Sequence, residues 1–335
     1  MITQSSPSTL RFKEVRKVFV SQRGIFKQLR EKVAVDNISF TLNPGETIGL
    51  VGESGSGKTT VGRMAAGLIE PTSGSIYYGG KDIRQMSKDE YKNYRLSVQL
   101  VHQDPYASLN PVITIGQTLT APLVQHGFAE SHDEARTQAE ELVKRVGLGT
   151  DCLDKYTHQL SGGQRQRISV ARALTVKPKV IVADEPVSMM DVSLRVGLLD
   201  LLLDLQRSLG LAFIFITHDL GVVRYFGKGQ TCLVMYRGHV VERGETEQVI
   251  TAPRHPYTKP LRLAVPVPDP SVARKRSPLP LRNVDVEAEM DTNNVCPFVH
   301  SCIYAKEECE QAKPQLVADQ DDGHETACFF AEQIA

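Results

Sequence analysis

Hydrophobic positions along this chain follow two rhythms. Near the start they alternate with polar ones, in Leu10-Arg11-Phe12-Lys13-Glu14-Val15 and at Val18-Phe19-Val20, the period of a half-buried strand. Residues 21–32 are polar and predict a loop. Strand character resumes over 33–42, turns at Asn43-Pro44-Gly45-Glu46, and returns over 47–51, a short apolar run of the kind buried in a parallel sheet. Helices are predicted over 59–68, 131–146 and 194–209. In the second, Ser131 offers an N-cap, Asp133 and Glu134 occupy the first turn, and Ala135, Ala139, Leu142, Val143 and Val146 fall on one face. Gly210 closes the third, and 180–183 and 211–217 read as buried strands. Strands alternating with helices predict an α/β fold around a parallel sheet.

After about residue 260 the pattern breaks. Pro266, Pro268, Pro270, Pro278 and Pro280, with Arg274-Lys275-Arg276 between them, read as a linker. A length of 335 residues allows one large domain plus an appendage. Lys+Arg and Asp+Glu are both 39, which argues against a protein that holds nucleic acid by bulk positive charge. The opening, Met1 to Leu10, is polar and lacks an apolar core, so no secretory signal is expected. The longest apolar runs, such as 211–216, fall far short of the roughly 20 residues that cross a bilayer.

Three segments carry chemistry. Gly52-Glu53-Ser54-Gly55-Ser56-Gly57-Lys58-Thr59 fits the phosphate-loop pattern between a predicted strand and a predicted helix, and Thr60 follows in the same turn. Its glycines let backbone N–H groups converge on phosphate, Lys58 reaches the β- and γ-phosphates, and Thr59 offers a hydroxyl to Mg²⁺. The strand 180–183 runs into Asp184 and Glu185 at its carboxyl end, where ligands sit in a parallel sheet. Asp184 suits the Mg²⁺ shell, and Glu185 suits a base for the attacking water. His218 leaves the next strand end as a γ-phosphate sensor, and Gln103 is a candidate for Mg²⁺ or the water. Leu160-Ser161-Gly162-Gly163-Gln164 opens another helix, a second anion site in a chain that already has one.

Together and in this order, these segments resemble the ATP-binding subunits of ABC transporters over about residues 9–260. The resemblance implies a P-loop NTPase with a mixed or parallel core sheet, an antiparallel β subdomain and a helical subdomain at about 104–164, followed by a linker and cysteine-rich extension over 261–335. It implies a sandwich in which Ser161, Gly162, Gly163 and Gln164 meet ATP held by a second ATPase subunit. Phe19 matches the adenine-stacking position, a core strand residue being the alternative. Asp191 matches the D-loop aspartate, although Ser188-Met189-Met190-Asp191 replaces the usual Ser-Ala-Leu-Asp and leaves the packing of Met189 open.

Residues 103–111, His255-Pro256-Tyr257-Thr258-Lys259-Pro260-Leu261 and the terminal cysteines are similar to the oligopeptide/dipeptide importer ATPases. This implies two permease subunits docked near Gln103, a solute-binding protein outside, and a place on the cytoplasmic face of the bacterial inner membrane. Four of the six cysteines, Cys296, Cys302, Cys309 and Cys328, fall in the last 40 residues. Four thiolates suit Zn²⁺ or an iron–sulfur cluster, and the resemblance favours [4Fe–4S]. His300 and His324 stand near as substitute ligands, while Cys152 and Cys232 read as packing residues. Two other readings stay open: a soluble ABC ATPase acting on DNA or ribosomes, and an ATPase gated by oxidation of the cysteine cluster.

Overall fold

The computed structural model describes residues 9–23, 28–264, 294–319 and 322–334. The proline-rich linker expected over 266–280 lies outside these residues. Two sheets organise the chain. A four-stranded antiparallel sheet has the order β2-β1-β4-β5, formed by β1 (Leu10–Arg23), β2 (Gln28–Leu42), β4 (Ser73–Tyr78) and β5 (Lys81–Asp82). The predicted loop at 21–32 is a correction: β1 and β2 stay paired out to Arg23↔Gln28. A hairpin ladder satisfies its own backbone groups, so a polar ribbon continues as strand once Phe12↔Phe40 has set the register. Those two rings stack across the strands at 4.4 Å.

The larger sheet has the order β11-β12-β10-β9-β3-β8-β7-β6. Its parallel part joins β6 (Val98–Val101), β7 (Val180–Asp184), β8 (Ala212–Thr217), β3 (Thr47–Val51) and β9 (Thr231–Tyr236). Its antiparallel edge is β10 (His239–Glu245), β12 (Glu325–Thr326) and β11 (Val317–Ala318). The central strands read as unbroken apolar runs because both faces are covered. In β8, Phe213 and Phe215 enter one core while Ala212, Ile214 and Ile216 enter the other. β7 divides likewise, Ile181 and Ala183 against Val180 and Val182.

One core lies under α1 (Lys58–Ala65), α2 (Lys88–Ser97) and the antiparallel sheet, through Val61, Met64, Tyr94, Phe12 and Ile38. The other gathers α4 (Ile115–Gln125), α5 (His132–Arg145), α6 (Gly162–Leu174), α7 (Val192–Leu209) and α8 (Leu220–Phe226), with α3 (Pro105–Ser108) a single turn before them. Ser131 caps α5 by accepting from the Glu134 N–H at 3.1 Å, and Gly210 ends α7 at φ 63°. Helix α1 stops before the predicted 68, just ahead of Gly67 at φ 63°.

The tail packs into this second core rather than forming its own. Cys296, Phe298, Val299, Cys302 and Cys309 join it, and β12 pairs with β10 at Glu242↔Thr326. Between them run α9 (Thr246–Thr251) and α10 (Thr258–Ala264). Among the described residues no helix is long and apolar enough to cross a membrane.

Candidate ATP-hydrolysis site

Sheet register builds the site. Val51 pairs with Thr217 and Asp184 with Ile216, so the loops leaving β3, β7 and β8 emerge side by side at the carboxyl edge. The phosphate loop leaves β3. Gly57 takes φ 104° against the antiparallel sheet, where an added Cβ would stand 2.3 Å from the Ala34 carbonyl. Gly52 is as tightly held, with Met235 O at 2.1 Å from such a Cβ. The loop therefore needs glycine for close backbone approach as well as for phosphate.

Lys58 begins α1 almost fully buried. Its ammonium donates to the carbonyls of Gly52 and Glu53, each at 2.7 Å, and to Ser56 Oγ at 3.2 Å. Burial lowers its pKa, opposed by the nearby charges of Glu185, Asp184 and Glu53. Thr59 Oγ1 donates to Asp184 Oδ1 at 3.2 Å, so the two expected Mg²⁺ residues meet across 125 positions of sequence. Burial raises the Asp184 pKa, the Thr59 hydroxyl pulls it down, and the Glu185 charge adds to the rise. A divalent cation would relieve this crowding of carboxylates.

Glu185 turns out of β7 at φ 47°, a left-handed conformation costly for a side chain with a Cβ. Its N–H is held by Ile216 O at 2.9 Å, and Ser188 Oγ donates to its carbonyl at 3.0 Å. That turn presents the carboxylate to two expected neighbours. Gln103 Nε2 donates to Glu185 Oε2 at 3.1 Å, and His218 Nδ1 lies 3.2 Å from the same oxygen. Residues from four separate stretches of chain thus converge on one patch: Lys58 and Thr59, Gln103, Asp184 and Glu185, and His218. Ser54 and Gly55 are exposed on the loop, and Thr60 is half-buried in the first turn of α1.

The signature is not part of this patch. Ser161 caps α6: its Oγ accepts from the Gln164 N–H at 3.2 Å, and Gln164 Oε1 accepts from the Ser161 N–H at 3.0 Å. These residues partner one another, and Ser161, Gly162 and Gln164 face outward while Gly163 is half-buried. Beside them Asp191 starts α7 with its side chain exposed. The uncertain D-loop packing resolves simply: Met189 is 64% exposed, and Met190 takes the buried place at 9%. Phe19 is 43% exposed, with the Lys17 ammonium 5.2 Å over its ring, so it is a surface aromatic rather than a core strand residue.

The four tail cysteines line one small cavity together with His255, Phe298 and Phe330. Cys296, Cys302 and Cys309 are buried, and Cys328 is half-buried. Burial pushes the Cys296 thiol up to about 12. Among the described residues, however, no group of three or more His, Cys, Asp or Glu stands ready to hold a metal ion. The four cysteines of the expected ligand set do share one cavity. His324 has another partner: its Nε2 lies 2.8 Å from Glu242 Oε1 in a buried pair, and it does not line the cysteine cavity. His300 does not line the cysteine cavity either. Cys152 and Cys232 are buried in the core, as expected of packing residues.

One contact went unread in the sequence. Tyr257 Oη accepts from the Glu53 N–H at 2.9 Å, against the phosphate loop 204 positions away. The only signal was the His-Pro-Tyr-Thr segment, with no indication of which loop it would meet.

Comparisons with known proteins point to one family. Residues 35–188 match the ABC transporter family model, and residues 241–309 match the oligopeptide/dipeptide transporter C-terminal region. The chain is 40% identical to the dipeptide transport ATP-binding protein DppF of Haemophilus influenzae, over 95% of each chain. It is 42% identical to the oligopeptide transport ATP-binding protein OppF of Salmonella typhimurium, covering 90% of this chain and 89% of that one. A dimeric, post-hydrolysis ATP-binding cassette bound to ADP and Pi superposes with a TM-score of 0.62 at 28% identity, covering 71% of this chain and 98% of the other. With the phosphate loop, the paired acids and the signature each in place on this fold, the chain belongs to the ATP-binding subunits of ABC transporters, in their oligopeptide/dipeptide branch.

Proposed function

We propose that this chain is the ATP-hydrolysing subunit of an importer for peptides or related small solutes. The convergence of Lys58, Thr59, Gln103, Asp184, Glu185 and His218 carries the reading. The phosphate loop from Gly52 to Thr60 binds the triphosphate through its N–H groups, and Lys58 neutralises the β- and γ-oxygens. Phe19 stacks on adenine. Thr59, Asp184 and Gln103 would hold Mg²⁺, which when bound offsets phosphate charge. Glu185 takes a proton from the attacking water, Gln103 helps place that water, and His218 orients the carboxylate beside the γ-phosphate.

The outward-facing Ser161–Gln164 signature and Asp191 support a sandwich in which each signature closes on ATP held by another ABC subunit. The dimeric cassette among the structural neighbours supports the same reading. The site then belongs on residues 9–260, with 104–164 as the helical subdomain that docks two permeases. An extracytoplasmic solute-binding protein delivers cargo, and this subunit works from the cytoplasmic face. The test is to reconstitute the chain with its permeases and second ATPase: ATP-driven uptake of a peptide supports the reading, and hydrolysis with no solute moved removes it.

For the tail we propose that Cys296, Cys302, Cys309 and Cys328 hold an iron–sulfur cluster, supported by their shared cavity. Thiolate ligation would staple the short tail segments that carry the four cysteines to one another. Anaerobic purification should give a brown protein with about four iron and four sulfide per chain, lost in Cys296→Ser. Stoichiometric zinc, or no metal at all, would reject the cluster.

A further inference from the structure

Two contacts outside the hydrolytic set brace the phosphate loop, and tail residues back each of them through one or two intermediates. At the first, Tyr257 is 2% exposed and its hydroxyl accepts from the Glu53 N–H at 2.9 Å. Lys58 donates to the Gly52 carbonyl, the other polar group of that same peptide unit, at 2.7 Å. The Gly52–Glu53 peptide plane is thus fixed from both sides, by a phenol on its N–H and by the catalytic ammonium on its C=O.

Tyr257 is itself wedged. Its ring lies 4.6 Å from Tyr236 on β9 and 5.6 Å from Phe298 in the tail, and Phe298 meets Tyr236 edge-on at 5.2 Å. Phe298 sits in the cysteine loop, where its carbonyl accepts from the Cys302 N–H at 3.0 Å. The segment before Tyr257 is pinned by the buried Glu242 carboxylate. That carboxylate accepts from the N–H of Arg254 at 2.7 Å and of His255 at 3.1 Å, and holds His324 of the tail at 2.8 Å. Burial raises the Tyr257 pKa and keeps the phenol neutral, and its oxygen accepts through a lone pair.

The second contact reaches the far end of the loop. Ser56 O accepts from the Gly238 N–H at 2.9 Å, and Gly238 O accepts from the Asp36 N–H at 2.8 Å. The Asp36 carboxylate pairs with Lys313 of the tail, with Arg16 at 3.4 Å and with His239 at 3.6 Å.

We propose that Tyr257 is a positioning residue for nucleotide binding, through which the cysteine-bearing tail sets the shape of the phosphate loop. Without its hydroxyl the Gly52–Glu53 peptide loses one of its two restraints, and Lys58 loses a fixed carbonyl to rest on. Glu185, Gln103 and His218 sit on other loops and keep their places. The effect therefore falls on nucleotide affinity and KM, not on kcat. The proposal rests on the phosphate loop being the ATP site.

Its test is Tyr257→Phe in the full chain, with Tyr225→Phe on α8 as a matched control. Calorimetric titration with ATP and ADP gives Kd, and the transporter assembled with its permeases gives KM and kcat. Tyr257→Phe should weaken both nucleotides about three- to tenfold, the scale of one lost hydrogen bond, with KM raised alike and kcat unchanged. Phe298→Leu, which touches Tyr257 and no nucleotide, should move Kd the same way, and Tyr225→Phe should not move it. Where Tyr257→Phe folds poorly, Lys313→Ala reads the second contact by the same titration. Wild-type Kd in both Tyr257→Phe and Phe298→Leu, or a fall in kcat at unchanged Kd, overturns the proposal. A wild-type chain that binds no nucleotide is a different failure, since it removes the ATP site itself.

Discussion

A Glu185→Gln chain is expected to bind ATP as the wild type does and to hydrolyse it at least about a hundredfold more slowly, the scale of a lost general base. Glutamine keeps the size and planar shape of the side chain, so the turn at φ 47° and the contacts to Gln103 and His218 can be retained. What disappears is the anionic oxygen that would take the water's proton. Asp184 cannot replace it. That carboxylate is held by Thr59 at 3.2 Å and lies in the buried half of the site, where it titrates above its ordinary value. Because hydrolysis is what reopens the proposed sandwich, the variant should also accumulate as an ATP-bound dimer, measurable by size-exclusion chromatography with light scattering. Near-normal phosphate release by this variant would take the base role away from Glu185.

Lys58→Ala should act on the other half of the problem and weaken ATP binding by about a hundredfold, as expected for losing charge-assisted bonds to phosphate. The side chain is 4% exposed, and its ammonium also ties the Gly52 and Glu53 carbonyls together. Alanine removes both the phosphate contact and this brace, leaving polar backbone groups without their partner. Equilibrium titration with a slowly hydrolysed ATP analogue separates the effect from turnover. Unchanged affinity would show that the N–H cradle alone carries binding. The two variants together split the site into a binding half on β3 and a hydrolytic half on β7 and β8.

These two halves differ in how they could be read. The phosphate loop is local: glycine spacing, lysine and threonine lie within eight residues, between a buried strand and a helix. So is the signature, whose Ser161–Gln164 capping box is set by residues three apart. Buried strands over 180–183 and 211–217 were legible because two covered faces demand an unbroken apolar run. Residues 21–32 misled because a polar ribbon shows no periodicity while its ladder still closes. Met189 and Met190 could not be told apart by composition; only the packing of α7 against α6 decides which is buried.

The sequence by itself determined the α/β fold class, the order of the motifs and the candidate residues of the phosphate loop, the acidic strand end and the signature, because each is encoded by short-range spacing that backbone geometry enforces. Only the tertiary structure decided which groups touch. Strand register sets Thr59 against Asp184 and Gln103 and His218 against Glu185, and tail packing sets Tyr257 under the phosphate loop. The same packing bound His324 to Glu242 and brought the four tail cysteines to one cavity. The physical reason is that contacts between distant segments depend on how layers pack and slide into register, and no spacing along the chain records that.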